Sequence, residues 1–183
     1  MREQNDPEQN NGGRRLHIGG KDVKAGWEIF DAIAAGHVDH VGNARDLSRF
    51  ADGTFAQLYA SHVLEHFDYK DAIAIALKEW HRVLKPGGIL CVSVPDMERL
   101  CHLYLTPRLA PEMRFHLMRM VFGGHLDDYD YHLTGLDESY LRGQLQQAGF
   151  SAIQRVQSFN LFKDTSVMEF LGMPISLNVV ATR

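Results

Sequence analysis

The sequence predicts an α/β protein built on one mostly parallel sheet, and three observations point to this class. Short apolar runs rich in β-branched residues alternate with segments of helical periodicity along most of the chain. Such alternation is typical of a parallel sheet that is covered on both faces. The length of 183 residues and the hydrophobic content of 45% fit a single packed domain and exclude a disordered or collagen-like chain.

The chain divides into a short tail and one domain. Residues 1–13 are rich in Asn, Gln, Glu and Gly and have nothing to bury, so we expect a disordered tail there. Residues 14–183 contain neither an internal repeat nor a linker. We therefore expect them to fold as a single domain.

Short apolar runs that end in glycine or in a polar residue are predicted to be strands. Five of them lie within the first 94 residues, at 16–18, 27–30, 38–41, 58–61 and 89–94. Two more are expected after the last helix, near residues 153–159 and 175–181.

The clearest helix is predicted to begin at Asp71, which can act as its N-terminal cap. Apolar side chains then recur every three or four residues, at Ile73, Leu77, Trp80 and Leu84. The Lys-Pro-Gly-Gly turn at 85–88 must end this helix, because proline and glycine interrupt helical structure.

Two further helices are predicted from the signals at their ends. Pro111 suits the first turn of one helix, and the Gly-Gly pair that begins at Gly123 closes it. Asp137 can cap the other helix, and Gly149 ends it.

Charge and composition narrow the classes of partner. The net charge of −4 gives the chain no bulk attraction for phosphate backbones, so we expect no nucleic-acid partner. No apolar run approaches the about 18 residues of a membrane helix, and the N-terminus has no secretory signal. The two cysteines form neither a disulfide framework nor a zinc pattern. We therefore expect a cytoplasmic protein without a membrane partner, and the sequence leaves a homodimer open.

Glycines and polar residues follow the predicted strands, where a parallel sheet binds its ligands. An acid after the second strand is placed to accept two hydrogen bonds from ribose hydroxyls, and glycines let the backbone approach a ligand closely. The order along the chain suits an adenosine. In that order the residues are Gly19 and Gly20, Asp31, Asn43 and Ala44, and then Ser61 and His62.

Four segments between residues 41 and 88 carry a recognisable combination: VGNARDL, FADGTF, YASHVLEH and RVLKPGG. With this spacing, the chain resembles a class I S-adenosylmethionine-dependent methyltransferase of the type 11 group. The resemblance implies a Rossmann-like, seven-stranded sheet whose last strand is antiparallel. It also implies S-adenosylmethionine as cofactor and methyl transfer to a small-molecule or sugar-containing acceptor.

The resemblance assigns cofactor roles to the residues at the strand ends. The two glycines after the first strand match the loop that passes under the methionine part of the cofactor. Asp31 matches the acid that holds the ribose, and Asn43 with Ala44 matches the pair that contacts adenine. Ser61 and His62 match the segment beside the methionine and the sulfonium.

The first motif departs from the family pattern. The usual acidic residue followed by Gly-x-Gly-x-Gly is reduced here to HIGGK at residues 17–21. Only six residues separate Gly20 from Trp27, whereas a parallel crossover normally needs about a dozen or more. We therefore expect the first helix of the fold to be missing and the cofactor pocket to be more open.

His125 and His132 are the candidate catalytic bases. They lie in a long acidic connection after the fifth strand, and long loops in compact domains often cover binding sites. Either imidazole can take a proton from an acceptor hydroxyl. The alternative interpretation is a solvated loop with capping aspartates.

Two other functions stay open. The shortened first motif is compatible with a catalytically inactive binding module of methyltransferase fold. The segment HVLEH also fits the H-x-x-E-H pattern of zinc hydrolases, in which His62 and His66 on one helix face bind zinc and Glu65 acts as base. The VLKPGG signature after the next helix favours the methyltransferase, so we predict no metal site.

Overall fold

The computed structural model of the protein describes residues 12–183. Residues 1–11 of the predicted tail therefore lie outside the described residues. The described part of the chain contains a seven-stranded sheet and a separate two-stranded hairpin of β7 (Glu169–Phe170) and β8 (Met173–Pro174). The strands of the large sheet are β1 (Arg14–Ile18), β2 (Glu28–Asp31), β3 (His40–Val41), β4 (Phe55–Ser61), β5 (Leu84–Pro95), β6 (Ser151–Val156) and β9 (Ser176–Thr182).

The strand order of the large sheet is β3-β2-β1-β4-β5-β9-β6. Strands β1 to β5 pair in parallel, whereas β9 runs antiparallel to both of its neighbours. This confirms the predicted α/β class, the mostly parallel sheet and the antiparallel last strand. The chain order reverses between β1 and β4, and a crevice at such a switch point is where open α/β sheets bind ligands.

The helices of the described residues are α1 (Ala72–Val83), α2 (Met97–Tyr104), α3 (Pro111–Phe122) and α4 (Glu138–Gln147). The sequence patterns predict all of them except α2. None of these helices reaches the length and hydropathy of a segment that spans a membrane.

Of the two predicted helix caps, Asp137 forms its capping hydrogen bond and Asp71 does not. Asp137 caps α4, because its side chain accepts a hydrogen bond from the backbone N–H of Tyr140 at 2.8 Å. Asp71 occupies the cap position of α1, but its side chain makes no capping hydrogen bond. Helix α1 also ends at Val83, before the predicted turn at 85–88, because β5 already begins at Leu84.

Helix α1 supplies the centre of the main core. Its predicted apolar stripe of Ile73, Leu77 and Trp80 is buried, as is Leu84 directly after the helix. These side chains pack with residues of the sheet and of α4 in one cluster. The helical periodicity therefore identifies the buried face correctly.

No helix joins β1 to β2 among the described residues, which agrees with the predicted loss of the first helix. Along the sheet, the step from β1 to β2 runs in the opposite direction to the step from β4 to β5, which α1 connects. Right-handed connections in opposite directions lie on opposite faces of a sheet, so a helix between β1 and β2 would have covered the face opposite α1. The connection between β6 and β9 covers that face instead. Its Phe159 and Phe162 pack on Trp27 and Tyr59, and Lys24 donates a hydrogen bond to the carbonyl of Leu161 at 2.8 Å.

His17 lies buried on this second face, and burial lowers its pKa from 6.5 to about 4. Between these two values the unfolded chain binds a proton that the folded protein excludes, so stability falls as the pH drops. We expect this residue to lower the free energy of unfolding by about 2 kcal/mol between pH 7 and pH 5.

Urea unfolding at both pH values measures this loss. His17→Gln removes the titrating group, so its loss of stability over the same interval should be smaller than that of the wild-type protein. Equal losses in the two proteins would show that His17 does not carry the pH dependence.

Candidate functional site

A cleft of about 1100 Å³ opens where β1, β2, β3 and β4 end. It is lined by residues at and after the ends of these strands and by residues 126–131 from the connection between α3 and α4. The cleft therefore lies at the topological switch point of the sheet. Small-molecule sites typically measure about 300–1000 Å³, so this cleft has room for a cofactor together with an acceptor.

Most of the predicted cofactor residues come together in this cleft. The ones that line it are Gly19, Asp31, Asn43, Ala44 and His62. Gly20 and Ser61 do not line it: a Cβ atom on Gly20 would meet the ring of His17 at 2.6 Å, and the Ser61 hydroxyl is buried.

Asp31 stands at the end of β2 on the wall of the cleft. Its Oδ1 atom accepts a hydrogen bond from the backbone N–H of Ile33 at 2.7 Å, which orients the side chain. A carboxylate has about four lone-pair sites, so this contact leaves room for two hydroxyl donors from a ligand.

The loop after β3 is anchored to the core. Trp80 donates its indole N–H to the carbonyl of Ala44 at 2.8 Å, and the indole itself is fully buried. The side-chain oxygen of Asn43 accepts from the backbone N–H of Arg45 at 3.0 Å, so it already closes a local turn. A tryptophan of the core thus positions the cleft residue Ala44.

Gly19 brings the ends of β1 and β4 close together. Its φ is +71°, and a Cβ atom there would lie 2.7 Å from Cγ2 of Val63. Its N–H donates to the carbonyl of Phe30 at 2.8 Å. Only glycine fits both the backbone conformation and the contact without strain.

We expect Gly19→Ala to lower the free energy of unfolding by about 1–2 kcal/mol, which is the cost of a left-handed backbone for a residue with a side chain. The variant should also bind ligands in the cleft more weakly, since Val63 must move. Urea unfolding and ligand titration measure the two effects. Gly36→Ala is the matched control, because a Cβ atom on that exposed glycine meets nothing within 4 Å. Equal behaviour of the two variants would contradict this account of Gly19.

The HVLEH segment does not form the helix face that the zinc-hydrolase alternative requires. His62 lies outside any helix with φ of +56°, and only Leu64–His66 forms a single 3₁₀ turn. Glu65 points inward and is 1% exposed. His62 and His66 therefore do not form a ligand pair on one α-helix.

Neither predicted base lines the cleft. The Nε2 atom of His125 contacts the carbonyl of Phe122 at 2.8 Å, and its ring stacks on Tyr131. His132 is half-buried, and its Nδ1 atom contacts the carbonyl of Met120 at 3.1 Å. Burial lowers the pKa of His132, which favours the neutral ring at pH 7. Catalysis by either histidine stays a prediction.

Acidic side chains outnumber basic ones around the cleft. The lining contains two cations, Lys21 and Arg45. It contains five carboxylates, which are Asp31, Asp68, Asp127, Asp128 and Asp130. A cleft lined mainly by one sign of charge concentrates ligands of the opposite sign, so this one favours a cationic ligand.

The sequence matches one protein-family model and several curated proteins. A family model described as a methyltransferase domain matches residues 26–92. The ubiquinone/menaquinone biosynthesis C-methyltransferase UbiE of Vibrio cholerae is 34% identical over 134 residues, which are 67% of this chain and 48% of the relative. The UbiE protein of Klebsiella pneumoniae subsp. pneumoniae is 33% identical over 152 residues, which are 76% of this chain and 55% of the relative. The chain thus spans about half the length of the curated relatives it matches.

Solved structures share the fold at low sequence identity. A methyltransferase from Archaeoglobus fulgidus that depends on S-adenosylmethionine aligns with a TM-score of 0.61 and 14% identity, covering 97% of this chain and 89% of its own. One from Methanosarcina mazei aligns with a TM-score of 0.55 and 16% identity, covering 92% of this chain and 91% of its own. From the family match, the relatives and the fold together, the chain belongs to the class I S-adenosylmethionine-dependent methyltransferases of the type 11 group.

Proposed function

We propose that the cleft at the ends of β1 to β4 binds S-adenosylmethionine and that the protein transfers its methyl group to a small-molecule acceptor. One observation carries this proposal. Five of the seven residues that the family resemblance assigns to the cofactor line one continuous cleft at the switch point of the sheet, and they come from the ends of four separate strands.

The residues present fit the cofactor. Gly19 lines the cleft and has no side chain, so the methionine part of the cofactor can approach its backbone closely. The half-buried carboxylate of Asp31 suits the two ribose hydroxyls. Ala44, fixed by Trp80, lines the cleft where the adenine would lie.

When bound, S-adenosylmethionine would supply a methyl group on a positively charged sulfonium, which the acceptor takes in line while the carbon–sulfur bond breaks and S-adenosylhomocysteine leaves. The protein then mainly aligns the acceptor with the methyl group and excludes water. The carboxylates around the cleft attract the cationic cofactor. For an acceptor hydroxyl, a neutral histidine would take the proton.

The acceptor is proposed to enter beside residues 126–131. Leu126, Tyr129 and Tyr131 all line the cleft and expose large parts of their side chains. Such a surface suits an acceptor with an apolar or ring-shaped part. The relatives are named as C-methyltransferases of quinone biosynthesis, so hydroxylated rings and sugar-containing metabolites form the first panel to test.

The absence of a helix between β1 and β2 favours a second candidate function, a catalytically inactive binding module that no longer binds the cofactor. Isothermal titration with S-adenosylhomocysteine separates the two functions. We expect one site with a dissociation constant in the micromolar range. A protein that is folded by circular dichroism and shows no binding at millimolar ligand would contradict the proposed function. The homodimer, the cytoplasmic location and the absence of a nucleic-acid partner stay predictions.

A further inference from the structure

The carboxylate of Glu65 is buried, and Nδ1 of His62 lies 3.3 Å from its Oε1 atom. The residue is 1% exposed, and both side-chain oxygens lack a hydrogen bond among the described residues. Its backbone carbonyl accepts from Leu133 at 2.7 Å and from Thr134 at 3.2 Å, so the position of Glu65 is firmly held. Burying a carboxylate is costly unless it is paired or binds a metal ion.

Besides His62, the imidazoles of His66 and His132 lie beside this carboxylate. The rings of His66 and His132 are 4.9 Å apart between centroids. One ligand atom from each of Glu65, His66 and His132 lies within 4.8 Å of the other two, and Nε2 of His132 is 4.0 Å from Oε1 of Glu65.

Backbone contacts set the tautomer of both rings. Nδ1 of His66 lies 3.1 Å from the carbonyl of Tyr131, and Nδ1 of His132 lies 3.1 Å from the carbonyl of Met120. A carbonyl oxygen only accepts hydrogen bonds, so each Nδ1 carries the proton and each Nε2 keeps a lone pair. Histidines that bind metal ions are oriented in this way by a partner on the other ring nitrogen.

We propose that Glu65, His66 and His132 bind a divalent transition-metal ion, with Zn²⁺ as the ion that the ligands suit best. Two imidazoles and one carboxylate form a known ligand set for zinc with an open position, whereas Mg²⁺ and Ca²⁺ prefer oxygen ligands. Zinc ligands at about 2.0–2.2 Å lie roughly 3.4 Å from one another, so small side-chain movements complete the site.

This site differs from the one that the sequence pattern suggests. His62 is not a ligand here: its Nε2 atom contacts the hydroxyl of Ser176 at 2.9 Å, and its Nδ1 atom lies 3.3 Å from Oε1 of Glu65. It therefore positions the carboxylate. The third ligand is His132. The two residues that follow it, Leu133 and Thr134, donate backbone hydrogen bonds to the carbonyl of Glu65 and so hold His132 close to Glu65.

An ion at this place lies at the wall of the cleft, because His66 is one of the residues that line it. Three protein ligands leave a position open for an oxygen atom of an acceptor, which the ion would make more acidic. This second step rests on the proposed function, whereas metal binding itself does not.

Titration of metal-free protein without a histidine tag tests the site. We expect one Zn²⁺ per chain by calorimetry, the absorption bands of four-coordinate Co²⁺ in the visible spectrum, and no comparable binding of Mg²⁺ or Ca²⁺. His132→Ala and Glu65→Gln should each weaken Zn²⁺ binding at least tenfold. His125→Ala is the matched control, since this histidine lies on the same connection outside the cluster, and it should bind Zn²⁺ like the wild-type protein.

Wild-type protein that binds Zn²⁺ no better than folded His132→Ala and His66→Ala variants would overturn the proposal, as would the lack of a Co²⁺ spectrum. Titration of S-adenosylhomocysteine into the same samples keeps the two proposals apart. Cofactor binding without Zn²⁺ binding rejects the metal site alone. Zn²⁺ binding without cofactor binding rejects the proposed methyl transfer alone.

Discussion

Replacing Trp80 by alanine is expected to lower the free energy of unfolding by about 3–5 kcal/mol, the usual cost of deleting a large aromatic side chain from a core. Trp80 is 0% exposed and lies in the main cluster between α1 and the sheet. The change also removes the hydrogen bond from the indole to the Ala44 carbonyl. Urea unfolding at pH 7 measures the loss.

Ile75→Ala is the matched control for this prediction. Ile75 is an apolar residue on the same helix, but its side chain is 45% exposed, so the change should cost well under 1 kcal/mol. If Trp80→Ala is no more destabilising than the control, Trp80 does not hold the core as described.

Trp80→Phe separates the core from the cleft. Phenylalanine keeps an aromatic ring in the core but cannot donate to the carbonyl of Ala44. Since this hydrogen bond fixes the loop after β3, we expect the variant to bind S-adenosylhomocysteine more weakly than the wild-type protein does. Its loss of stability should be smaller than that of Trp80→Ala.

Asp31→Ala is expected to weaken the binding of S-adenosylhomocysteine roughly 100-fold. Each hydrogen bond to a charged group contributes about 1.5–3 kcal/mol, and the Asp31 carboxylate is proposed to accept two from the ribose. Two such bonds at the lower end of this range contribute about 3 kcal/mol, which corresponds to slightly more than two powers of ten in the dissociation constant. Calorimetric titration measures the effect.

Asp46→Ala is a closely matched control. Asp46 also accepts a hydrogen bond from the backbone N–H two residues ahead, at 3.0 Å from Ser48, but it does not line the cleft. Both variants therefore lose the same kind of local turn. A similar affinity of the two folded variants would show that the ribose assignment of Asp31 is wrong.

Local signals made much of the fold predictable. Each strand of the large sheet overlaps a segment that the sequence predicts to be a strand, and the spacing of Ile73, Leu77 and Trp80 identifies the buried face of α1. The cap at Asp137 could be predicted because its hydrogen bond to Tyr140 spans only three residues. Each of these features depends on residues that are close in sequence.

Features that depend on distant residues could not be predicted in this way. Phe159 and Phe162 cover the sheet face opposite α1, although they follow the strand that they cover by about a hundred residues. Helix α2 has eight residues, and its cap at Asp96 directly follows a strand, so its sequence signal is short.

The candidate site also combines residues that could be predicted from nearby sequence with a contact between distant residues that could not. Gly19 and Asp31 could be identified, because Gly19 directly follows β1, Asp31 is the last residue of β2, and the strand ends of a parallel sheet converge. The contact between Glu65 and His132 could not, since 67 residues separate them and backbone hydrogen bonds bring them together. His62 does not lie on the helix that the zinc-hydrolase alternative requires, since its φ is +56°.

The central claim is that the ends of β1 to β4 form a binding site for a nucleoside cofactor. A crystal structure of the protein with S-adenosylhomocysteine tests it most directly. We predict that the ribose hydroxyls contact the carboxylate of Asp31, with the adenine beside Ala44 and the sulfur near Gly19 and His62. A ligand that binds elsewhere on the protein, or a cleft that stays free of ligand at saturating concentration, would contradict the claim.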